Sequence, residues 1–123
     1  MSTAARCLRV LVVDDEPLIR WSIAETLGAA GHQVTEAQDA ASALRALADA
    51  PDTDLVLLDF RLPDSNDLGL LAEIRRMAPA VPVIMMTAFG TPDVTAGALK
   101  LGALKVLNKP FNMHELERLV RSL

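Results

Sequence analysis

Asp14, Asp15 and Glu16 directly follow an apolar run, and Asp59, Thr87 and the pair Lys109-Pro110 each follow another. Carboxylates brought to one place from separate stretches of chain disfavour each other's ionised form. Such a cluster calls for a cation. Mg2+ suits it, since that ion commonly takes one or two carboxylates, keeps waters and sits beside phosphate. A lysine adds a compact positive charge, and a threonine adds a hydroxyl. Together these are the parts of a phosphoryl-transfer site, where catalysis is mostly positioning and charge neutralisation. The sequence has no Gly-rich loop of the Walker or dinucleotide type, so a nucleotide is not the expected donor. A carboxylate can itself be the nucleophile, giving an aspartyl phosphate. Asp59 is the candidate, because it stands alone while Asp14 and Asp15 form a pair.

The elements that must position these residues follow from periodicity. Strand-length apolar runs occur at Leu8–Val13, Leu55–Leu58, Val83–Met86 and Leu104–Leu107, with a weaker, more polar run at Gln33–Glu36. Near-continuous runs rich in Val, Ile and Leu predict strands buried on both faces, as in a parallel sheet. Helical spacing fills the gaps. Ile19, Ile23 and Leu27 predict a first helix stopped by Gly31, and Asp39 caps a second carrying Ala43, Leu44 and Leu47. Leu68, Leu71 and Ile74 predict a third, ended before Pro79. Thr91-Pro92-Asp93 starts a fourth with Val94, Ala98 and Leu101, closed by Gly102. Asn112 with Glu115 starts a fifth in the manner of a capping box, carrying Leu116, Leu119, Val120 and Leu123. Five βα units in series predict an α/β fold with helices on both faces of a five-stranded parallel sheet. In such sheets ligands bind beyond the carboxyl ends of the strands. That rim is where Asp14, Asp15, Asp59, Thr87 and Lys109 fall, whereas the second strand ends near Glu36 with no evident contribution.

The 123 residues fit one domain, and 51% apolar with 23% charged residues describes a globular chain. Twelve basic against 16 acidic residues leave a net charge of −4, which speaks against nucleic acid or an anionic membrane as a partner of this chain. No apolar run approaches a membrane span, and the opening residues do not read as a signal peptide. A lone cysteine, Cys7, offers no internal disulfide. The expectation is a soluble, cytoplasmic, single-domain protein.

Four segments carry a resemblance: Val-Val-Asp-Asp-Glu at 12–16, Leu-Leu-Asp-Phe-Arg-Leu-Pro at 57–63, Met-Met-Thr-Ala-Phe-Gly at 85–90 and Lys-Pro-Phe at 109–111. In this order and spacing the chain resembles the receiver domain of two-component response regulators, the CheY-like family. Ile19-Arg20-Trp21 and the Thr-Ala-Phe-Gly stretch look most like the NtrC subgroup. The resemblance implies a doubly wound, flavodoxin-like (βα)5 fold with strand order 2-1-3-4-5, over residues 1–123 as a single receiver domain. It implies that Asp59 accepts a phosphoryl group from a sensor histidine kinase or a histidine phosphotransfer protein. Asp15, Asp59 and the backbone carbonyl of Arg61 would ligate Mg2+, with Asp14 acting mainly through water. Lys109 and Thr87 would hold phosphoryl oxygens, and the Lys109–Pro110 peptide would be cis. The chain would be a switch rather than a turnover enzyme, promoting only its own phosphorylation and dephosphorylation. Its output would be transcription control by a domain outside this chain, with a phosphorylation-dependent homodimer left open.

Two positions depart from the family pattern. Val106 stands three residues before the lysine, where the family usually has Tyr or Phe, and Asn66-Asp67 replaces a frequent Asp-Gly pair. Val106 makes a degenerate receiver, signalling without phosphate, the alternative reading. A true Mg2+-dependent phosphatase with an aspartyl nucleophile would need an acid where Arg61 stands. Other residues read as plain structure: Met85 and Met86 as core, His32 and His114 as solvated turn residues, Cys7 as a half-buried lead-in. Trp21 lies about 200° around its helix from Ile19 and Ile23, so it reads either as packing on the last helix or as a partner-contact aromatic.

Overall fold

The strands are β1 (Arg9–Val13), β2 (Gln33–Ala37), β3 (Leu55–Asp59), β4 (Val83–Thr87) and β5 (Lys105–Asn108), and they alternate with α1 (Pro17–Ala29), α2 (Ala40–Asp49), α3 (Gly69–Met77), α4 (Pro92–Lys100) and α5 (Met113–Arg121). This computed structural model describes residues 7–65, 67–88 and 90–123, so Asn66 of the Asn66-Asp67 pair and Phe89 of the Thr-Ala-Phe-Gly stretch lie outside the described residues. All neighbouring strands are parallel, in the order β2-β1-β3-β4-β5. That is the doubly wound order expected.

The continuous apolar runs follow from the pleat, which sends successive side chains to opposite faces. Val10 and Val12 of β1, Leu57 of β3, and Ile84 and Met86 of β4 pack with Ile23 and Leu27 of α1 and Leu116 and Val120 of α5. Leu11 and Val13, Val56 and Leu58, and Val83 and Met85 pack with Ala43 and Leu47 of α2, Leu71 and Ile74 of α3, and Ala98 of α4. Every residue of β3 and β4 is buried, while edge strand β2 exposes Gln33, Thr35 and Glu36. Each fully buried Leu, Ile or Val stabilises the fold by about 1.5–3 kcal/mol relative to leaving it exposed.

Helix ends follow local chemistry. The Asp39 carboxylate accepts from the Ser42 N–H at 2.8 Å in a capping box, and Asp64 accepts from the N–H groups of Ala40 and Ala41 at 2.8 and 3.1 Å. The start of α2 is thereby tied to the loop after β3. Thr91 accepts from Val94 N–H with Pro92 in the first turn. Asn112 accepts from His114 N–H, one position short of the Glu115 expected to complete a box. Gly31 and Gly102 follow α1 and α4 with φ of 95° and 101°, the left-handed closing position that glycine occupies without a Cβ clash.

Several expectations shift. Leu68 stands at the N-cap position just before α3, half-buried against the core, and Leu70 joins Leu71 and Ile74 in the buried set. Leu101 and Leu104 lie past α4 and before β5, and both are exposed, because the turn between them is where the chain leaves the helix for the strand. His32 is buried: its Nδ1 accepts the Leu8 N–H at 3.1 Å, extending the pairing of β1 with the α1–β2 turn. Cys7 is exposed.

Candidate functional site

Asp59 and Thr87 are the last residues of β3 and β4, Asp14 is the first after β1, and Lys109 the first after β5. The parallel register brings these ends to one rim, with Asp59 opposite Met86 and Thr87 opposite Asn108. Backbone bonds hold the ends in place: Asp14 N–H donates to the Ala37 carbonyl, Phe60 N–H to Met86, and Lys109 N–H to Thr87. The Lys109–Pro110 peptide is cis. A cleft of about 490 Å³ opens here, lined by Asp15, Glu16, Asp59, Arg61, Leu62, Pro63, Thr87, Ala88 and Lys109. Asp14, Asp59 and Thr87 are buried, whereas Asp15 is exposed.

Carboxylate oxygens of Asp14, Asp15 and Asp59 lie within 4.8 Å of one another. Lys109 is the cation among them. Its Nζ donates to Asp14 Oδ2 at 2.8 Å and lies 3.4 Å from both Asp59 Oδ1 and Glu16 Oε1. The other Asp14 oxygen accepts the Glu16 N–H at 2.9 Å. Asp14 is thus held on both sides, and the carboxylates that line the cleft are Asp15, Glu16 and Asp59.

The electrostatics carry the mark of this crowding. Burial, and then the Asp14 charge, push the Asp59 carboxyl up to about 6. The nearby Lys109 ammonium and the Arg61 N–H pull it back only in part. Burial draws the Lys109 ammonium down, but the bond to Asp14 and the charges of Asp14, Asp59 and Glu16 outweigh it, and its pKa ends above the ordinary lysine value. Three carboxylates around one ammonium leave negative charge in excess. The donor set is all hard oxygen, so a divalent ion such as Mg2+ fits it.

Sequence reasoning missed part of the machinery. Arg20 of α1 donates through Nη1 to the Asp14 carbonyl at 2.7 Å and through Nε to Glu36 Oε1 at 3.0 Å. The end of β2 is therefore not idle. Glu36 was legible as a strand-end acid lacking a partner, and an arginine one turn into α1 was the available cation. Val106 does not line the cleft; it is half-buried, paired with Met85 and packed on the α2–α3–α4 side. Trp21 is 56% exposed, so it is no part of the α1–α5 core.

The response regulator receiver domain model matches residues 10–121. Over 111 residues the chain is 40% identical to the DNA-binding transcriptional regulator NtrC of Escherichia coli K12, covering 90% of this chain and 24% of that protein. It is 41% identical over 112 residues to the response regulator protein PilR of Pseudomonas aeruginosa, covering 91% and 25%. The chain thus spans about a quarter of the length of these relatives. Among solved structures, the receiver domain of NtrX from Brucella abortus superposes with a TM-score of 0.83 at 37% identity, covering 92% of this chain and 95% of that one. A CheX–CheY–BeF3–Mg complex from Borrelia burgdorferi superposes with a TM-score of 0.87 at 25% identity, covering 94% and 87%. With strand order, rim and family match in agreement, the chain belongs to the response regulator receiver domain family, among relatives of NtrC and PilR.

Proposed function

We propose that residues 1–123 form one receiver domain that takes a phosphoryl group from the phosphohistidine of a sensor kinase or histidine phosphotransfer protein onto Asp59. A carboxylate oxygen of Asp59 attacks phosphorus and forms a P–O bond. The N–P bond breaks, and its electron pair stays on the imidazole nitrogen. A carboxyl with a pKa of about 6 is mostly ionised at neutral pH, so the nucleophile is available. Lys109, 3.4 Å from Asp59 Oδ1, neutralises an incoming phosphoryl oxygen, and Thr87 at the adjoining strand end offers a hydroxyl to another. Asp15, Asp59 and the Arg61 carbonyl would hold Mg2+, with Asp14 acting through water. The ion would supply neutralisation of charge between carboxylates and phosphate. The product is an acyl phosphate that alters the surface, so the chain acts as a switch rather than a turnover enzyme.

The observation that carries this reading is the Lys109–Asp59 pair inside a cluster of three carboxylates at strand ends. The kinship with NtrC, a DNA-binding transcriptional regulator, supports transcription control by a further domain of a longer protein as the output. A cytoplasmic location and dimerisation on phosphorylation belong to the same reading. No helix among the described residues is long and apolar enough to cross a membrane.

The test is incubation with a small phosphodonor, with and without Mg2+, followed by mapping of the modified peptide. Labelling at Asp59 that needs Mg2+ and is lost in Asp59→Asn is expected; full labelling of Asp59→Asn would refute it. Val106 favours one second reading, a module that signals without phosphate. It requires partner binding that is unchanged in Asp59→Asn.

A further inference from the structure

We propose that Arg20 is a positioning residue for the metal end of the site, acting through the Asp14–Asp15 peptide. The inference rests on the reading of Asp15 as a Mg2+ ligand. Asp15 is exposed, and its carboxylate makes no hydrogen bond or ion pair among the described residues. Its place is therefore set by the backbone that carries it. The peptide unit entering Asp15 begins at the Asp14 carbonyl, and Arg20 Nη1 donates to that oxygen at 2.7 Å. The guanidinium is fixed in turn by Glu36 at 3.0 Å, and its side chain is only 17% exposed. Arg20 N–H also donates to the Glu16 carbonyl, so one residue grips the turn from both backbone and side chain. Two fork donors at fixed angles bridge the β1 and β2 ends, a geometry a lysine cannot reproduce.

Charge and position give opposite signs here, which makes the role separable. As a charge, Arg20 beside an acidic cluster opposes a cation, so its removal should tighten Mg2+ binding. As a clamp, it holds a ligand in place, so its removal should weaken binding. Groups that orient metal ligands typically cost 10–100-fold in affinity when lost.

The experiment titrates metal-free protein with MgCl2 and follows amide shifts in wild type, Arg20→Ala, Arg20→Lys and Asp15→Asn. Both Arg20 variants should weaken Mg2+ about tenfold. Before any metal is added, both should displace the Asp15 amide resonance, whose nitrogen belongs to the clamped peptide. Arg20→Lys keeps the charge and guards against loss of fold in the alanine variant. Tighter or unchanged Mg2+ binding in Arg20→Ala, or wild-type affinity in Arg20→Lys, overturns the proposal while leaving the site reading intact. A wild type without Mg2+-dependent shifts, or an Asp15→Asn that binds like wild type, overturns the site reading and this proposal with it.

Discussion

Lys109 donates to Asp14 at 2.8 Å and stands off from Asp59 at 3.4 Å. The lysine is therefore bonded to the carboxylate proposed to act through water, and only leans toward the proposed nucleophile. Asp14 is fully buried and repels Asp59, while the ammonium that would relieve Asp59 is turned partly away. Asp14→Asn removes the repulsion and loosens the claim on Lys109. The Asp59 carboxyl should fall from about 6 by at least about one unit. Lys109→Met should move it further up. Carbon-13 carboxyl titration of the metal-free protein reads both; an Asp59 pKa that stays near 6 in Asp14→Asn would show that burial alone sets it.

The same shift fixes a stability trend. Asp59 has a folded pKa of about 6, above its ordinary 3.8, so the native state holds the proton more tightly than the unfolded chain does. Stability from this group is full below pH 4 and is lost as pH rises through about 6. Asp59→Asn should therefore stabilise the metal-free protein at pH 7.5 by on the order of 2 kcal/mol, a rise of several degrees in Tm. The difference should close at pH 4. Asp39 has the opposite sign, since its bonds to Ser42 lower its pKa; its contribution is present at neutral pH and lost on acidification. Thermal unfolding of wild type and Asp59→Asn from pH 4 to 8 checks this, and a pH-independent difference would contradict it.

The sheet and the acidic rim were readable from sequence because both follow from local pattern. Four continuous apolar runs report strands covered on both faces, and parallel strands must deliver their carboxyl ends to one side. What stayed hidden depends on contacts between distant residues. Arg20 meets Glu36 across 16 positions, and Asp64 meets Ala40 across 24. His32 read as a solvated turn residue, yet the Gly31 turn folds its ring back onto β1. Leu101 and Leu104 carry apolar side chains in places where helix phase and strand length both stop one residue short of burying them.

Gly31 and Gly102 form an internal comparison. Their φ values differ by only a few degrees, so the backbone cost of a Cβ is about the same in each, near 1 kcal/mol. A Cβ at Gly31 would meet nothing within 4 Å, but one at Gly102 would lie 2.8 Å from Arg75 Nε. Arg75 is also engaged, donating to the Val81 carbonyl at 2.7 Å. Gly102→Ala should therefore cost more than Gly31→Ala, by about 1 kcal/mol. In the background of Arg75→Ala the excess should vanish. Urea denaturation of the single and double variants measures it; equal costs for the two glycines would show that the Arg75 side chain moves aside freely.

The switch must work without a ring at position 106. Val106 is half-buried against the apolar cluster and does not line the cleft, and its side chain has neither a ring to rotate nor a polar tip to follow a hydroxyl. Thr87, by contrast, is buried at the end of β4 and lines the cleft. A ligand shifts a conformational equilibrium only through contacts that differ between the two states. On the proposed reading those contacts would lie at Thr87 and Lys109, and they would depend on the pocket rather than on Val106. Beryllofluoride with Mg2+ should therefore shift amide resonances around 88–91 and the start of α4, and shift those of β5 less. Thr87→Ala should nearly abolish these changes. Val106→Ala should leave them in place while costing about 1 kcal/mol of stability through the space it opens beside Met85. If Val106→Ala suppresses the response as strongly as Thr87→Ala, then the aliphatic packing on β5 transmits the signal, and the threonine does not act alone.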